Sequence, residues 1–212
     1  MDITQSIVQI IVMLPIFLLA ISVHEVAHGY VSYLLGDPTA KNAGRLTLNP
    51  IAHLDPVGAL VLVITRMYGW AKPVPIDPRY YKNPRQGMMY VGLAGPGANF
   101  VMAILFSLIW MLMLQFRLVS LYMNPQSIRG IIATMIITGI QINIALGVFN
   151  LIPVPPLDGS KILRGFLPRK YDRYFYMLEG PQGMILIFIL LFTGILGGII
   201  RPIINLFMSV LM

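Results

Sequence analysis

The run His24-Glu25-Val26-Ala27-His28 places two imidazoles and a carboxylate within one short stretch of chain. On an α-helix, positions i and i+4 lie about 40° apart around the axis, so His24 and His28 face one way, one turn apart, with Glu25 beside them. Two neutral imidazoles in that arrangement can ligate one metal ion. With one further N or O donor they leave a position open for water, whose pKa zinc lowers to about 7. Glu25 then suits the part of general base. The competing reading of the three residues is an internal polar network without metal. The chain has no cysteine, which excludes a thiolate nucleophile, a disulfide framework and a sulfur ligand. A third ligand must come from His53 or from the acids left after Glu25 is set aside from the 8 Asp and Glu. Asp158 is the best placed. It follows the charge-free stretch Gly130 to Leu157 and closes the proline-broken segment Asn150 to Gly159, where freed backbone lines a cavity instead of meeting lipid. An Asp before Gly159 also suits a helix cap, and the residues alone leave both roles open.

The elements that must carry these groups are apolar. The 212 residues are 57% hydrophobic and 11% charged, against about 25% charged in a soluble domain. A bilayer core about 30 Å thick takes roughly 20 apolar residues per helix. Runs of that order extend from Ile3 to Leu35, Met88 to Leu114, Gly130 to Leu157 and Gly183 to Ile200, with a short apolar tail after Arg201-Pro202. Pro56 to Thr65 is too short to cross and reads as re-entrant or interfacial. The prolines of Lys72-Pro73-Val74-Pro75-Ile76-Asp77-Pro78 exclude helix and favour extended backbone. The expected fold is an all-α polytopic membrane bundle forming one domain over residues 1–212, with His24 to His28 on the first transmembrane helix and a proline-broken later helix. The N-terminus has an acid at Asp2 and no basic segment, so it is not read as a cleaved signal.

The net charge of +7 sits in loops, the pattern of cytoplasmic loops beside anionic lipid, and does not call for nucleic acid. Residues 36–87 carry seven bases and residues 159–182 five, against two between 115 and 129. That asymmetry places the first two segments in the cytoplasm and the N-terminus outside, in a multi-pass plasma-membrane protein. His24 precedes Leu35 by about 16 Å of helix, which sets the metal nearer the cytoplasmic side.

The chain resembles the site-2 protease family of intramembrane zinc metalloproteases, in its short bacterial branch. The resemblance rests on His24-Glu25-Val26-Ala27-His28, Gly44-Arg45-Leu46-Thr47-Leu48-Asn49-Pro50, Gly69-Trp70-Ala71-Lys72-Pro73-Val74-Pro75, Ala94-Gly95-Pro96-Gly97-Ala98-Asn99 and Asn150 through Gly159. It implies one Zn2+ held by His24, His28 and Asp158, with Glu25 as the catalytic base. Asn150 also fits the family pattern, as an amide that orients the substrate carbonyl or stabilises the oxyanion, or else as a packing hydrogen bond. His53 has no ligand role in that pattern. It is left as a gate or substrate contact, or as a loop cap. Asn99 and its neighbouring glycines read as a site of close helix approach, and Gly194 with Gly198 likewise.

The substrate class expected is a membrane-spanning protein or peptide, met in the lipid bilayer. Its helix must unwind before cleavage, and Lys72, Pro73, Val74, Pro75 and Ile76 offer an extended segment for β-addition. The rival reading is a metal-binding transporter or channel, since intramembrane His and carboxylates also mark ion paths. It predicts acids on several helices. The residues do not set the substrate's identity or the oligomeric state.

Overall fold

The computed structural model describes residues 3–58, 60, 70–119 and 127–211, with side chains of the first helix from Val12 onward. Apart from one antiparallel bridge between Leu54 and Ala71, the regular structure among these residues is helical. Helix α1 is Ile3–Leu34, α2 Thr39–Asn42, α3 Pro84–Gln115, α4 Ile128–Asn150, α5 Asp158–Phe166, α6 Asp172–Leu178, α7 Pro181–Phe192 and α8 Ile195–Leu211. Val12–Leu34, α3 and α4 are each long and apolar enough to cross a membrane. The protein is an all-α membrane bundle, as expected.

Local sequence explains where the long helices begin and end. Helix α1 stops where Gly36 takes φ +103° and the Asp37 N–H reaches back to the Ser32 carbonyl, a glycine C-cap. Pro84 opens α3, and the Asn83 side chain accepts from the Gln86 N–H. Helix α4 ends at Asn150, and Pro153, Pro155 and Pro156 keep the following turns from continuing it.

Small residues let the helices approach closely. A Cβ on Gly139 would lie 2.9 Å from the Phe106 ring, and one on Gly147 3.0 Å from Phe100, so α3 and α4 meet with ring against backbone. Ile140 and Ile144 are fully buried there, and α8 adds Ile200, Ile203, Ile204, Met208 and Leu211 around the same core. Helix α5 seats on α3 at Gly92, where a Cβ would come within 3.1 Å of the Asp158 carbonyl oxygen and the Lys161 Cβ. That seating delivers the start of α5 to α1.

Two expectations fail at the C-terminal end. Gly183 to Ile200 is not one span: α7 stops at Phe192, Gly194 takes φ +76°, and α8 begins at Ile195. Helix α7 is then about 18 Å long, short of the roughly 30 Å of hydrocarbon. Hydropathy runs through the break because it carries no information on backbone handedness. Gly194 and Gly198 do not mediate close packing either, since a Cβ on either would meet nothing within 4 Å. Of the re-entrant stretch Pro56 to Thr65, residues 56–58 and 60 are helical, and the remainder lies outside the described residues.

Candidate metal centre

Helix α1 presents His24 and His28 one turn apart, their rings 4.6 Å between centroids and near perpendicular. The first residue of α5, Asp158, meets them from below. Its Oδ2 lies 3.1 Å from each Nε2, and the two Nε2 atoms are 3.0 Å apart. Three ligand atoms thus form a nearly equilateral triangle, close to the ~3.3 Å edge of tetrahedral ligands about 2.0–2.1 Å from a zinc ion. All three residues are buried.

The protonation of these groups follows from their partners. The His28 Nδ1 lies 2.7 Å from the Val91 carbonyl, which can only accept, so Nδ1 carries the proton and donates. The Asn99 Nδ2 donates to the Ala20 carbonyl at 3.2 Å and to the Asn143 Oδ1 at 2.9 Å. Its Oδ1 therefore faces His24, and the His24 Nδ1 donates to it at 2.6 Å. In the neutral rings, both Nε2 atoms are then lone-pair acceptors, aimed at each other and at a carboxylate oxygen. In that state three acceptors converge on one point. A cation satisfies all three at once, so the donor set fits a divalent metal that favours imidazole and carboxylate.

The surroundings of the triangle fix its members. Asp158 makes no capping bond, the cap position being Leu157. Its second oxygen accepts from the Lys161 Nζ at 2.8 Å, which leaves Oδ2 free for a metal. Asn143 is held in turn by the Gly139 carbonyl at 2.8 Å. On the α3 side, a Cβ on Gly95 would stand 2.5 Å from the His28 Nε2 and 2.6 Å from the His24 Nε2. The missing side chain is the space in which an ion would sit. Gly97, two residues on, faces open space, so the close-approach reading holds for Gly95 and not for Gly97.

Glu25 stands outside the triangle. Its Oε2 accepts from the Val74 N–H at 2.9 Å, which joins the candidate base to the segment Lys72 to Asp77. That strap is tied down at both ends. The Lys72 N–H donates to the His53 carbonyl at 2.9 Å, and the Arg45 Nη2 donates to the Lys72 carbonyl at 2.7 Å. At the far end the Asp77 N–H donates to the Asp37 Oδ2 at 2.8 Å. Asp37 is fully buried and also accepts from the Ser32 hydroxyl at 2.7 Å and the Thr39 N–H at 2.9 Å. Burial by itself pushes this carboxyl up, but the donors of Thr39, Asp77 and Ser32 outweigh it and hold the group below its ordinary value. In the middle of the strap Val74 lies over Gly29, where a Cβ would come within 3.0 Å of Val74 Cγ1.

His53 is fully buried, and its Nε2 donates to the Thr47 carbonyl at 2.7 Å. It is not among the residues of the metal triangle. Asn150, the last residue of α4, donates its amide to the Leu146 carbonyl one turn back at 3.0 Å. Lys161, Asn143 and the part played by Asn99 escaped the sequence reading. Their signals were an i+3 lysine after Asp158 and two amides inside charge-free spans, where polar groups are costly.

Residues 12–190 match peptidase family M50, and the chain belongs to that family. YwhC of Bacillus subtilis is 35% identical over 189 residues, which cover 89% of this chain and 83% of that protein. MJ0392 of Methanocaldococcus jannaschii is 26% identical over 160 residues, 76% of this chain and 35% of its own length. Rip2 of Mycolicibacterium smegmatis is 28% identical over 185 residues, 85% of this chain and 66% of its own length. All three carry zinc metalloprotease in their names. No solved structure matches the chain.

Proposed function

We propose that this M50 chain is a zinc metalloprotease that hydrolyses peptide bonds within or near the transmembrane segments of membrane-protein substrates. The observation that carries the reading is the convergence of three possible ligand atoms, His24 Nε2, His28 Nε2 and Asp158 Oδ2, within 3.1 Å of one another, beside an acid that is not one of them. Zinc bound there supplies Lewis acidity to the scissile carbonyl and to a water. Glu25 takes the proton of the attacking water and returns it to the leaving amine. The Val74 N–H keeps the Glu25 carboxylate turned toward the strap, along which an unwound substrate strand docks at Lys72 to Ile76. Asn150 serves the oxyanion once its amide leaves the Leu146 carbonyl.

The 212 residues act as one membrane-embedded unit in the plasma membrane. The N-terminus lies outside, and the site is nearer the cytoplasm, on the strength of the lysine and arginine asymmetry between loops. The test of function joins metal analysis to a cleavage assay on membrane-spanning peptides. Glu25→Gln is expected to keep its zinc and to lose about 10²–10⁴-fold in turnover. A wild-type rate in that variant would remove Glu25 from the chemistry, and a fully folded wild type that takes up no zinc would remove the metal. The topology is tested in a chain without cysteine by placing one at Asn83. Labelling by an impermeant reagent from outside intact cells would invert the orientation.

A further inference from the structure

The strap that touches the candidate base is chemically one-sided. Four of its six residues from Lys72 to Asp77 have an N–H, because Pro73 and Pro75 have none. Three of those four are already engaged by the protein: Lys72 with the His53 carbonyl, Val74 with Glu25 and Asp77 with Asp37. Only the Ile76 N–H has no partner among the described residues. The carbonyls tell the opposite story. That of Lys72 is held by Arg45, whereas those of Pro73, Val74, Pro75 and Ile76 have no hydrogen-bond partner among the described residues.

We infer that this strap recognises its substrate as a hydrogen-bond acceptor, selecting unwound peptide that turns its own N–H groups toward Pro73 to Ile76. The inference rests on the reading that substrate docks on the strap. An ordinary added strand exchanges donors and acceptors in both directions. Here the two prolines and the Glu25 contact withdraw the strap's donors, so pairing runs almost wholly from substrate to enzyme. The substrate's carbonyls are left unclaimed by the strap, and the scissile one stays free for the metal. The free carbonyls from Pro73 to Ile76 are thus specificity-determining: they disfavour a residue without an N–H, proline above all, at the docked positions.

Unwinding and docking make opposite demands on the same group. Proline in a substrate span weakens the helix, by about tenfold or more in the opening equilibrium, yet removes the proton the strap needs. Replacing one backbone amide by an ester separates the two demands. An ester loses the N–H, and with it a helix hydrogen bond, while the side chain is unchanged.

The experiment is an amide-to-ester scan along one membrane-spanning peptide in detergent micelles, sparing the scissile bond. It is read as kcat/KM on the zinc-loaded wild type and as peptide affinity on Glu25→Gln. One hydrogen bond corresponds to about two- to tenfold. The expected result is a loss of that size at alternate positions on one side of the cleavage site, with no loss or a gain elsewhere. Pro75→Ala, which restores one donor for a substrate carbonyl and leaves the strap carbonyls in place, is expected to tighten amide and ester peptides alike and to leave their ratio unchanged. Esters tolerated at every position would overturn the inference while leaving hydrolysis standing. Periodic loss of affinity without any hydrolysis would keep the docking edge and sink the protease reading instead.

Discussion

The two flanks of the metal triangle are held by different means. On the bundle side, His24 leans on Asn99, Asn99 on Asn143, and Asn143 on a carbonyl of its own helix. That flank is built from side chains on closely packed helices. On the strap side, Glu25 leans on the backbone N–H of an extended segment whose far end is anchored by the buried Asp37. The ligands need a fixed geometry whether or not substrate is present, and they sit where packing is tightest. The base must meet a peptide that arrives and leaves, and it sits against the element the peptide would engage.

The contrast breaks most sharply at Gly95. Gly95→Ala puts a methyl group among the ligand nitrogens, so zinc content and activity are expected to vanish together. Gly97→Ala, on the same helix and facing open space, is expected to keep both. Equal zinc content in the two variants would mean that the metal does not sit against α3.

The bundle flank is sharpened by Asn99→Leu, which removes the acceptor that orients His24. A loss of about 10–100-fold in zinc affinity is expected, read by competition with a chelator. Asn99→Asp keeps an acceptor for the Nδ1 proton and should recover most of the affinity. If both variants bind zinc like the wild type, His24 needs no such partner.

The strap flank gives the smallest effect. Asp37→Asn replaces one acceptor oxygen by a donor facing other donors, a cost of about 1–3 kcal/mol. It should raise KM more than it alters zinc content. The wild-type carboxyl has a depressed value, so its contribution is present above the unfolded pKa of about 3.9 and fades as pH falls through the folded value. Thermal stability measured from pH 6 downward should therefore decline more steeply in the wild type than in Asp37→Asn. Parallel curves would show that Asp37 does not anchor the strap in its charged form.

What the sequence disclosed and what it withheld divide along chain distance. His24, Glu25 and His28 are legible because helical geometry alone brings them together. Asp158 is a candidate from the prolines that break the helix before it, with a capping role left open until the fold brings it to both imidazoles. Asn99 is separated from His24 by 75 positions, and no local pattern says that one amide meets that ring. The strap was legible as extended from its prolines, but its anchorage was not, since Asp37 reads as an ordinary turn residue after Gly36. At the other end, the uniform apolarity of Gly183 to Ile200 concealed the turn at Gly194, because a bilayer selects for hydrophobicity on both sides of a break.

The broken C-terminal helices also bear on the lipid around the protein. Helix α3, with 32 residues, is about 48 Å long, whereas α7 and α8, with 12 and 17, are about 18 Å and 25 Å. A bilayer about 30 Å thick in its hydrocarbon cannot match all three heights at once. Where the short helices meet lipid, the membrane thins or the helices ride toward one leaflet, at a fraction of a kcal/mol per Å of mismatch. Helix α3 is thus longer than the hydrocarbon is thick and α7 and α8 are each shorter, and acyl-chain length is a variable to which the two lengths should respond differently.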